Sequence, residues 1–332
     1  MTRSTKLPQR MIGTSGLPTS AMGLGLMSLS GIYGPGDDME SVALIREALD
    51  LGVTMLDSSD MYGFGHNEEL LGKAIAGRRD EALIVTKFGN MGGKNGRIAD
   101  GRPEYVPVAL EASLKRLNVD VIDLWYVHRI DPTVPIEDTV GAMSRLVEQG
   151  KVKALGLSEA NPQTIMRAHK VHPIAAVQNE YSLLFRAEAE ETRKTTKELG
   201  ISFVAYAPLG RGLLTGLRVD PNEMGDTDAR KRHPRFLGEN QTHNLNIVRK
   251  LDELAKAKDC TTGQLVLAWL LAQGEDVIAI PGTKRRDRMI ENLGALKVNL
   301  SADELAHITA LVPVGAAAGL RYPEAQMASV YL

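Results

Sequence analysis

The sequence is poor in cysteine, since Cys260 is the only one among 332 residues. A single thiol cannot form an intramolecular disulfide, and zinc sites built from thiolates need several of them. The composition therefore excludes the small secreted scaffolds that depend on cross-links. A reducing compartment fits it best.

The chain also has almost no excess of charge of either sign. The chain carries 39 basic and 41 acidic residues, which give a net charge of −2, and the two signs are interspersed rather than collected in long runs. Nucleic acids and anionic membranes are bound through concentrated positive charge. We therefore expect neither of them as a partner.

Long apolar runs are missing as well. The first residues, MTRSTKLPQRMIG, lack the apolar core of a secretory signal, and the run LVLAWLLA at 265–272 is far too short to cross a bilayer. These absences predict a cytoplasmic protein.

Several motifs of phosphate binding, nucleophilic catalysis and metal binding are incomplete or absent. The stretch GLGLMS at 23–28 lacks the third glycine of a dinucleotide loop, and GNMGGK at 89–94 is one residue short of a P-loop. No G-x-S-x-G elbow occurs, and HKVH at 169–172 has no acidic neighbour. We therefore interpret 23–28 as a tight barrel turn and 89–94 as a flexible loop, and expect no metal site.

What the sequence does contain is a regular alternation of short β-rich runs and amphipathic stretches. Hydrophobic residues make up 43% of the chain, so a large core is feasible. The alternation predicts a parallel sheet with helical crossovers, and eight units close a (β/α)₈ TIM barrel. We predict one such domain over residues 1–332, with an N-terminal hairpin and extra C-terminal helices and a tail. The predicted strands are 21–27, 53–56, 82–86, 121–127, 152–157, 174–177, 201–205 and 277–280.

The stretches between these runs predict the helices. In the first of them Val42, Ile45 and Leu49 fall on one face, as expected for a helix that packs on a sheet. Near the C-terminus Ser301 and Glu304 have the spacing of a capping box. The predicted helices are 39–51, 68–76, 104–117, 136–149, 163–169, 187–199, 247–258, 263–272, 285–295 and one that begins near 301.

Polar residues follow three neighbouring strands at the point where each strand ends. Asp57 ends the second strand and Tyr62 lies on the loop after it, while Lys87 and His128 end the third and fourth. Each residue alone has a structural explanation, such as a turn cap, a solvated amine or ordinary packing. Because the active site of a barrel lies at the C-terminal ends of its strands, we expect the four side chains to converge.

This set of groups suits the donation of a proton to a carbonyl oxygen. A phenol has a pKa of about 10, and a neighbouring cation lowers it by favouring the phenolate. Lys87 can supply that cation, Asp57 can hold it charged, and His128 can bind the substrate oxygen. No nucleophile or metal is available to attack the carbon, which points to a hydride from a nicotinamide.

The chain resembles the aldo-keto reductase family in an ordered set of segments that covers nearly its whole length. They are MLDSSDMYGFGHNEELLGKAI, VTKFG, LKRLNVDVIDLWYVHRID, GKVKALGLSEA, VQNEYSLL, YAPLGRGLLTG and IPGTKRRDRMIENLGA. The likeness is greatest to the bacterial and plant branch that includes perakine-reductase-like enzymes. It implies reversible, NADP(H)-dependent reduction of a small aldehyde or ketone in a (β/α)₈ barrel, with Tyr62 as the general acid.

The resemblance also implies a set of cofactor contacts. Ser158 and Gln178 would bind the nicotinamide carboxamide, and Tyr206 would stack on the ring. A cation, a hydroxyl and a guanidinium at the adenosine end suit a 2′-phosphate, which favours NADP over NAD. The segment at the pyrophosphate is Leu209, Gly210, Arg211 and Gly212, and the adenosine end is Gly282, Thr283, Lys284, Arg288, Glu291 and Asn292.

One departure and two other functions stay open at this point. Many family members carry Ser-Asn after the fifth strand, whereas this chain has Ser158-Glu159, so one carboxamide contact is unassigned. A redox-sensing regulatory subunit like the potassium-channel β-subunits, or a metal-dependent barrel hydrolase, remain as alternatives. We expect the loops around 89–101 and 218–244 and the tail from 319 to set the substrate.

Overall fold

The computed structural model describes residues 7–93, 97–217, 220 and 223–332. Its main feature is an eight-stranded parallel sheet whose spatial order follows the chain. A separate antiparallel hairpin, β1 (Gln9–Met11) and β2 (Pro18–Ser20), precedes this sheet. The strands of the sheet are β3 (Leu24–Gly25), β4 (Met55–Asp57), β5 (Leu83–Phe88), β6 (Ile122–Val127), β7 (Val152–Ser158), β8 (Ile174–Glu180), β9 (Ser202–Tyr206) and β10 (Val277–Ala279).

The sheet closes on itself between its first and last strands. Parallel bridges join Met22 to Ala279 and Gly25 to Gly282, and the Gly23 amide donates to the Ala279 carbonyl at 2.8 Å. A Cβ on Gly282 would lie only 2.9 Å from the Gly25 carbonyl oxygen. The glycines of GLGLMS therefore serve close strand packing, and the predicted barrel is confirmed.

The hairpin covers the end of the barrel where the strands begin. Ser202, the first residue of β9, donates to the Met11 carbonyl and accepts from the Gly13 amide, both at 2.8 Å. Thr54, just before β4, is bonded to Ser20 of β2. With this end closed, the opposite end, where the strands finish, is left for a site.

Helices surround the sheet and bury apolar stripes against it. The Ser301–Glu304 capping box is present at the start of the tenth helix, as predicted. In the described part of the chain no helix is long and apolar enough to cross a membrane. The helices are α1 (Asp38–Asp50), α2 (His66–Ile75), α3 (Tyr105–Leu117), α4 (Ile136–Glu148), α5 (Pro162–Val171), α6 (Ala187–Glu198), α7 (Gly238–Ala257), α8 (Thr262–Leu271), α9 (Arg286–Gly294), α10 (Ala302–Leu311) and α11 (Glu324–Met327).

The loop predicted around 218–244 is wrong in its last part, because α7 begins at Gly238 rather than at 247. Its first turns are held by polar side chains: Asn244 is fully buried and donates to the carbonyls of Arg235 and Ala318. The helix was predicted from the spacing of its apolar residues, and that spacing does not reveal such polar contacts. Residues 218, 219, 221 and 222 of this loop, and 94–96 of the loop at 89–101, lie outside the described residues.

Side chains of alternate strand positions fill the barrel interior. Met55, Val85, Leu124, Val204 and Ile278 belong to one buried apolar cluster. Two larger clusters lie between the strands and the helices. The continuous burial of both strand faces explains why the strands read as apolar runs that end abruptly in polar residues.

Candidate active site

Lys87 lies at the centre of the polar groups at the open end of the barrel. It is fully buried, and its Nζ donates to Asp57 Oδ1 at 2.5 Å and to the Ser58 carbonyl at 2.7 Å. The third contact of Nζ is Tyr62 Oη at 3.5 Å. Burial lowers the pKa of the ammonium, and the charge of Asp57 opposes that shift. The amine is thereby fixed between a carboxylate and a phenol.

Tyr62 owes its position to a sharp turn after β4. Gly63, Phe64 and Gly65 follow it with φ of 60°, 54° and 99°, a left-handed run that leads the chain directly into α2. The glycines adopt this conformation readily, whereas Phe64 does so at a cost. Burial, and next the charge of Asp57, raise the pKa of the phenol well above its usual value. In this structure Tyr62 is therefore a neutral proton donor, and the lowering expected from the lysine does not dominate.

His128 packs its ring against the phenol. The two rings are perpendicular, with centroids 5.8 Å apart, and His128 Nδ1 lies 2.9 Å from Ser59 Oγ. Burial, followed by the charges of Arg129 and Lys87, lowers the pKa of the imidazole well below its usual value. A neutral ring bonded through Nδ1 leaves Nε2 for another partner. The structure thus brings together all four residues predicted from the strand ends.

Gln178 and Ser158 stand side by side next to this group. They are paired in register on β7 and β8. Gln178 Nε2 donates to Asp57 Oδ2 at 2.7 Å, so the aspartate is held by Lys87 on one oxygen and by the amide on the other. The Ser158 side chain is buried beside Gln178. Sequence reasoning did not foresee the support that Gln178 gives to Asp57.

Glu159 occupies the position where an asparagine was expected. Its φ is 56°, and its Oε1 accepts from Tyr206 Oη at 2.7 Å and from the Glu180 amide at 3.2 Å. Arg321, from the C-terminal tail, donates to both carboxylate oxygens at 2.8 and 2.7 Å. The predicted ring-stacking residue Tyr206 is thus tied by its hydroxyl to a buried ion pair.

This ion pair is part of a larger set, which we call the acid–arginine cluster: Glu159, Glu180, Arg211, Arg235 and Arg321. Glu180 is fully buried and pairs with Arg211 at 3.0 Å and with Arg235 at 3.4 Å. Burial raises the pKa of both carboxyls, but the arginines outweigh it and hold both values below the usual range. Of this cluster the sequence predicted only Arg211 as a site residue, and Glu159 was noted only as a departure from Ser-Asn. Glu180 could have been found as another polar residue at the end of a strand. Arg235 and Arg321, in contrast, lie in segments whose apolar residues have neither the period of a helix nor that of a strand.

The segment predicted to wrap a pyrophosphate follows β9 in a short 3-10 helix, Gly210–Thr215. Leu209 precedes it, and Gly210, Arg211 and Gly212 have φ of 58°, 59° and 97°. Two of these three left-handed positions are glycines, which adopt a positive φ without steric cost. The Arg211 guanidinium lies 4.8 Å from the Tyr322 ring centroid.

The residues predicted at the adenosine end surround the start of α9. Lys284 Nζ donates to the carbonyls of Tyr33, Gly34 and Pro35 at 2.9–3.2 Å, so its donors secure a loop. Arg288 is half exposed and pairs with Glu291 at 2.6 Å. In the same group, Thr283 accepts from the Arg285 amide, Asn292 is buried, and Gly282 contacts β3.

Comparison with known proteins identifies the family. The profile of the Aldo/keto reductase family matches residues 21–313. The chain belongs to that family. The "Probable aldo-keto reductase 1" of Glycine max is 46% identical over 97% of this chain and 93% of its own length. The Schizosaccharomyces pombe aldo-keto reductase yakc, whose name specifies NADP(+), is 44% identical over 98% and 97%.

Solved structures of aldo/keto reductases share the fold. A glycerol dehydrogenase from Gluconobacter oxydans superposes with a TM-score of 0.82 and 29% identity, over 91% of this chain and 94% of its own. A Klebsiella pneumoniae aldo-keto reductase in complex with NADPH gives 0.73 and 25%, over 93% and 96%. The chain is therefore an oxidoreductase by family, with its polar groups at the end of the barrel where such folds place their sites.

Proposed function

We propose that this protein reduces a small aldehyde or ketone to the alcohol with NADPH. The observation that carries the proposal is the contact of one buried ammonium, Lys87 Nζ, with both Asp57 and the Tyr62 hydroxyl, beside the ring of His128. In this arrangement Tyr62 is the proton donor, and the Lys87 ammonium balances the negative charge that the phenol acquires when it gives up its proton.

The residues present fit a bound NADP(H). The buried Ser28 hydroxyl, beside Gly282, has no hydrogen-bond partner within the described residues. Arg288 offers a half-exposed guanidinium of the kind that suits a 2′-phosphate. The names of the S. pombe relative and of the Klebsiella complex support the same cofactor. When bound, the cofactor supplies the hydride.

The chain's own part in the reaction is to hold the carbonyl and deliver a proton. Tyr62 is neutral and transfers its proton to the carbonyl oxygen. The phenolate that results lies next to Lys87, and an ammonium stabilises a phenolate much more than a phenol. Because Asp57 and Gln178 fix this ammonium in advance, little reorganisation is needed.

His128 orients the carbonyl. In the tautomer that accepts the Ser59 proton at Nδ1, the ring carries its own proton on Nε2, from which it would donate a hydrogen bond to the substrate oxygen. Burial keeps the imidazole neutral, so it acts as a hydrogen-bond donor and leaves protonation of the substrate to Tyr62.

Steady-state oxidation of NADPH with a panel of aldehydes and ketones tests this function. We expect oxidation that depends on the carbonyl substrate and the reverse reaction with the corresponding alcohols. Binding of NADPH without turnover of any substrate would favour the regulatory-subunit alternative. Hydrolysis that is independent of nucleotide and lost to a chelator would favour the metal-dependent one.

Exchange of Arg288 tests the preference for NADP. Arg288→Gln is expected to raise the Kd of NADPH about ten- to hundredfold, because a charge-assisted hydrogen bond to the 2′-phosphate is lost, and to change the Kd of NADH little. Fluorescence titration measures both constants. The matched control is Arg286→Gln, since Arg286 is an exposed neighbour paired with Glu47. Equal effects of Arg288→Gln on NADPH and NADH would rule out recognition of the 2′-phosphate.

A further inference from the structure

Arg129 is a charged residue of the site that the proposed chemistry does not use. It directly follows His128 at the end of β6, and its side chain is half-buried. One guanidinium nitrogen donates to the His128 carbonyl at 2.7 Å, which turns the side chain back over the strand end. The guanidinium has five N–H donors, so most of them remain available.

The other arginines of this region are paired with carboxylates, and Arg129 is not. Arg211, Arg235 and Arg321 each form ion pairs with Glu159 or Glu180. Arg129 forms none in the described part of the chain, and the residues outside that part (1–6, 94–96, 218–219 and 221–222) contain no Asp or Glu.

A half-buried guanidinium without a counter-charge is unfavourable unless something satisfies it. The carboxylate that interacts electrostatically with Arg129 is Glu159, and it already accepts hydrogen bonds from Arg321, Tyr206 and the Glu180 amide. The groups that interact electrostatically with Arg129 otherwise include three phenols, those of Tyr62, Tyr206 and Tyr322. The described residues thus supply no carboxylate that forms an ion pair with Arg129.

The charge of Arg129 acts on the reaction centre itself. Burial and Asp57 raise the pKa of Tyr62, and Arg129 is the largest influence in the opposite direction. For His128, Arg129 is second only to burial in lowering the pKa. Arg129 is bonded to the backbone of His128, whose ring contacts that of Tyr62, so the guanidinium lies close to both residues. The segments assigned to the pyrophosphate and the adenosine follow β9 and β10, three and four strands away in the sheet.

We propose that Arg129 binds a carboxylate of the substrate, so that the preferred substrates are aldehydes or ketones that carry a carboxylate near the carbonyl. The proposal rests on the carbonyl reduction proposed above. A planar guanidinium fork matches a carboxylate through two parallel hydrogen bonds, which fixes orientation as well as charge. An anion bound there would present its carbonyl to Tyr62 and His128.

Matched pairs of substrates test this specificity. The ratio of kcat/KM is measured for 4-oxobutanoate against butanal and for 4-carboxybenzaldehyde against 4-methylbenzaldehyde. We expect the wild-type protein to prefer the carboxylated member, and Arg129→Met to lower that preference about ten- to hundredfold. Arg129→Lys, which keeps the charge without the fork, should give a smaller loss. The control Arg145→Met removes an exposed positive charge on α4 and should leave the ratio unchanged.

A preference that is the same in the wild type and in Arg129→Met overturns the inference. A rise in the Kd of NADPH without any change in the substrate ratio also overturns it, because Arg129 would then bind the cofactor. Thermal melting of each variant checks that the fold is retained.

Binding of benzoate, measured by calorimetry, separates this inference from the proposed reaction. If the wild-type protein binds benzoate and Arg129→Met binds it at least tenfold more weakly, the anion site stands even where no aldehyde is reduced. If aldehydes are reduced but neither benzoate binding nor substrate preference depends on Arg129, the inference alone fails.

Discussion

Replacement of Tyr62 by Phe is expected to lower kcat for carbonyl reduction by about 10²–10⁴-fold, the usual contribution of a positioned general acid. The substitution removes one hydroxyl, the group that lies 3.5 Å from Lys87 Nζ and carries the transferable proton. The aromatic ring, its packing against His128 and the turn at Gly63 all remain. Because the phenol is neutral in this structure, its loss changes no charge before the reaction begins.

Stopped-flow and steady-state measurements with NADPH give kcat, and fluorescence titration gives the Kd of the cofactor, which should stay within about twofold of the wild type. Tyr105→Phe is the matched control, since it removes the hydroxyl of a half-buried tyrosine at the start of α3. Its kcat should be close to that of the wild type. Undiminished turnover in Tyr62→Phe would remove this residue from the mechanism.

The part of this site that could be predicted from sequence is the part built by strand ends. Asp57, Lys87 and His128 end neighbouring parallel strands, and parallel strands finish at the same edge of a sheet, so their meeting follows from the alternation alone. Tyr62 was predictable because it follows one of these strands by five residues. The same logic gave all eight strands of the barrel, because burial on both faces makes each strand a continuous apolar run.

The part that could not be predicted depends on contacts between residues distant in the chain. Arg321 and Arg235 reach Glu159 and Glu180 from segments that have neither the period of a helix nor that of a strand. Glu159 was visible only as a departure from Ser-Asn, and its partner lies 162 residues further along the chain. Charge pairing over such distances leaves no local pattern.

Lys284 has contacts of a different kind that local reasoning did not predict. A lysine after the last strand suggests a phosphate contact, yet its three donors are directed to the carbonyls of Tyr33, Gly34 and Pro35. Residue type identifies what a side chain can bind, but it does not reveal which backbone groups surround that side chain in the fold. The start of α7 at Gly238 has the same origin, in buried amides that bond to neighbouring backbone.

Replacement of Arg321 by Met is expected to destabilise the protein by about 3–5 kcal/mol, the usual cost of removing one partner of a buried ion pair. Arg321 is 2% exposed, and its loss leaves Glu159 with the Tyr206 hydroxyl and one backbone amide as its donors among the described residues. Glu180 keeps Arg211 and Arg235, and Glu188, which also loses Arg321, is partly exposed, so the buried charge left without a partner is that of Glu159. For a chain of this size the melting temperature should fall by roughly 5–10 °C.

A second substitution shows whether the lost charge compensation is the cause. The double variant Arg321→Met with Glu159→Gln should melt above Arg321→Met alone, because a neutral amide costs less to bury than an unpaired carboxylate. The surface pair Arg167–Glu137 serves as control, since both side chains are about half exposed and Arg167→Met should change the melting temperature little. A double variant no more stable than the single one would assign the loss to packing of the tail instead.

The pH dependence of Arg321→Met follows from the same charge. In the wild type the arginine holds the pKa of Glu159 below its usual range, so this contribution to stability is present at neutral pH and is lost as the pH falls through that lowered value. Without Arg321, burial is opposed only by the weaker influences of Arg129 and the Tyr206 hydroxyl, so we expect the pKa of Glu159 to rise and protonation to relieve the uncompensated charge. The difference in melting temperature between wild type and variant should therefore be largest near neutral pH and shrink as the solution is acidified. A difference that stays constant between neutral pH and the pKa of an ordinary carboxyl would show that Glu159 is not the group left unpaired.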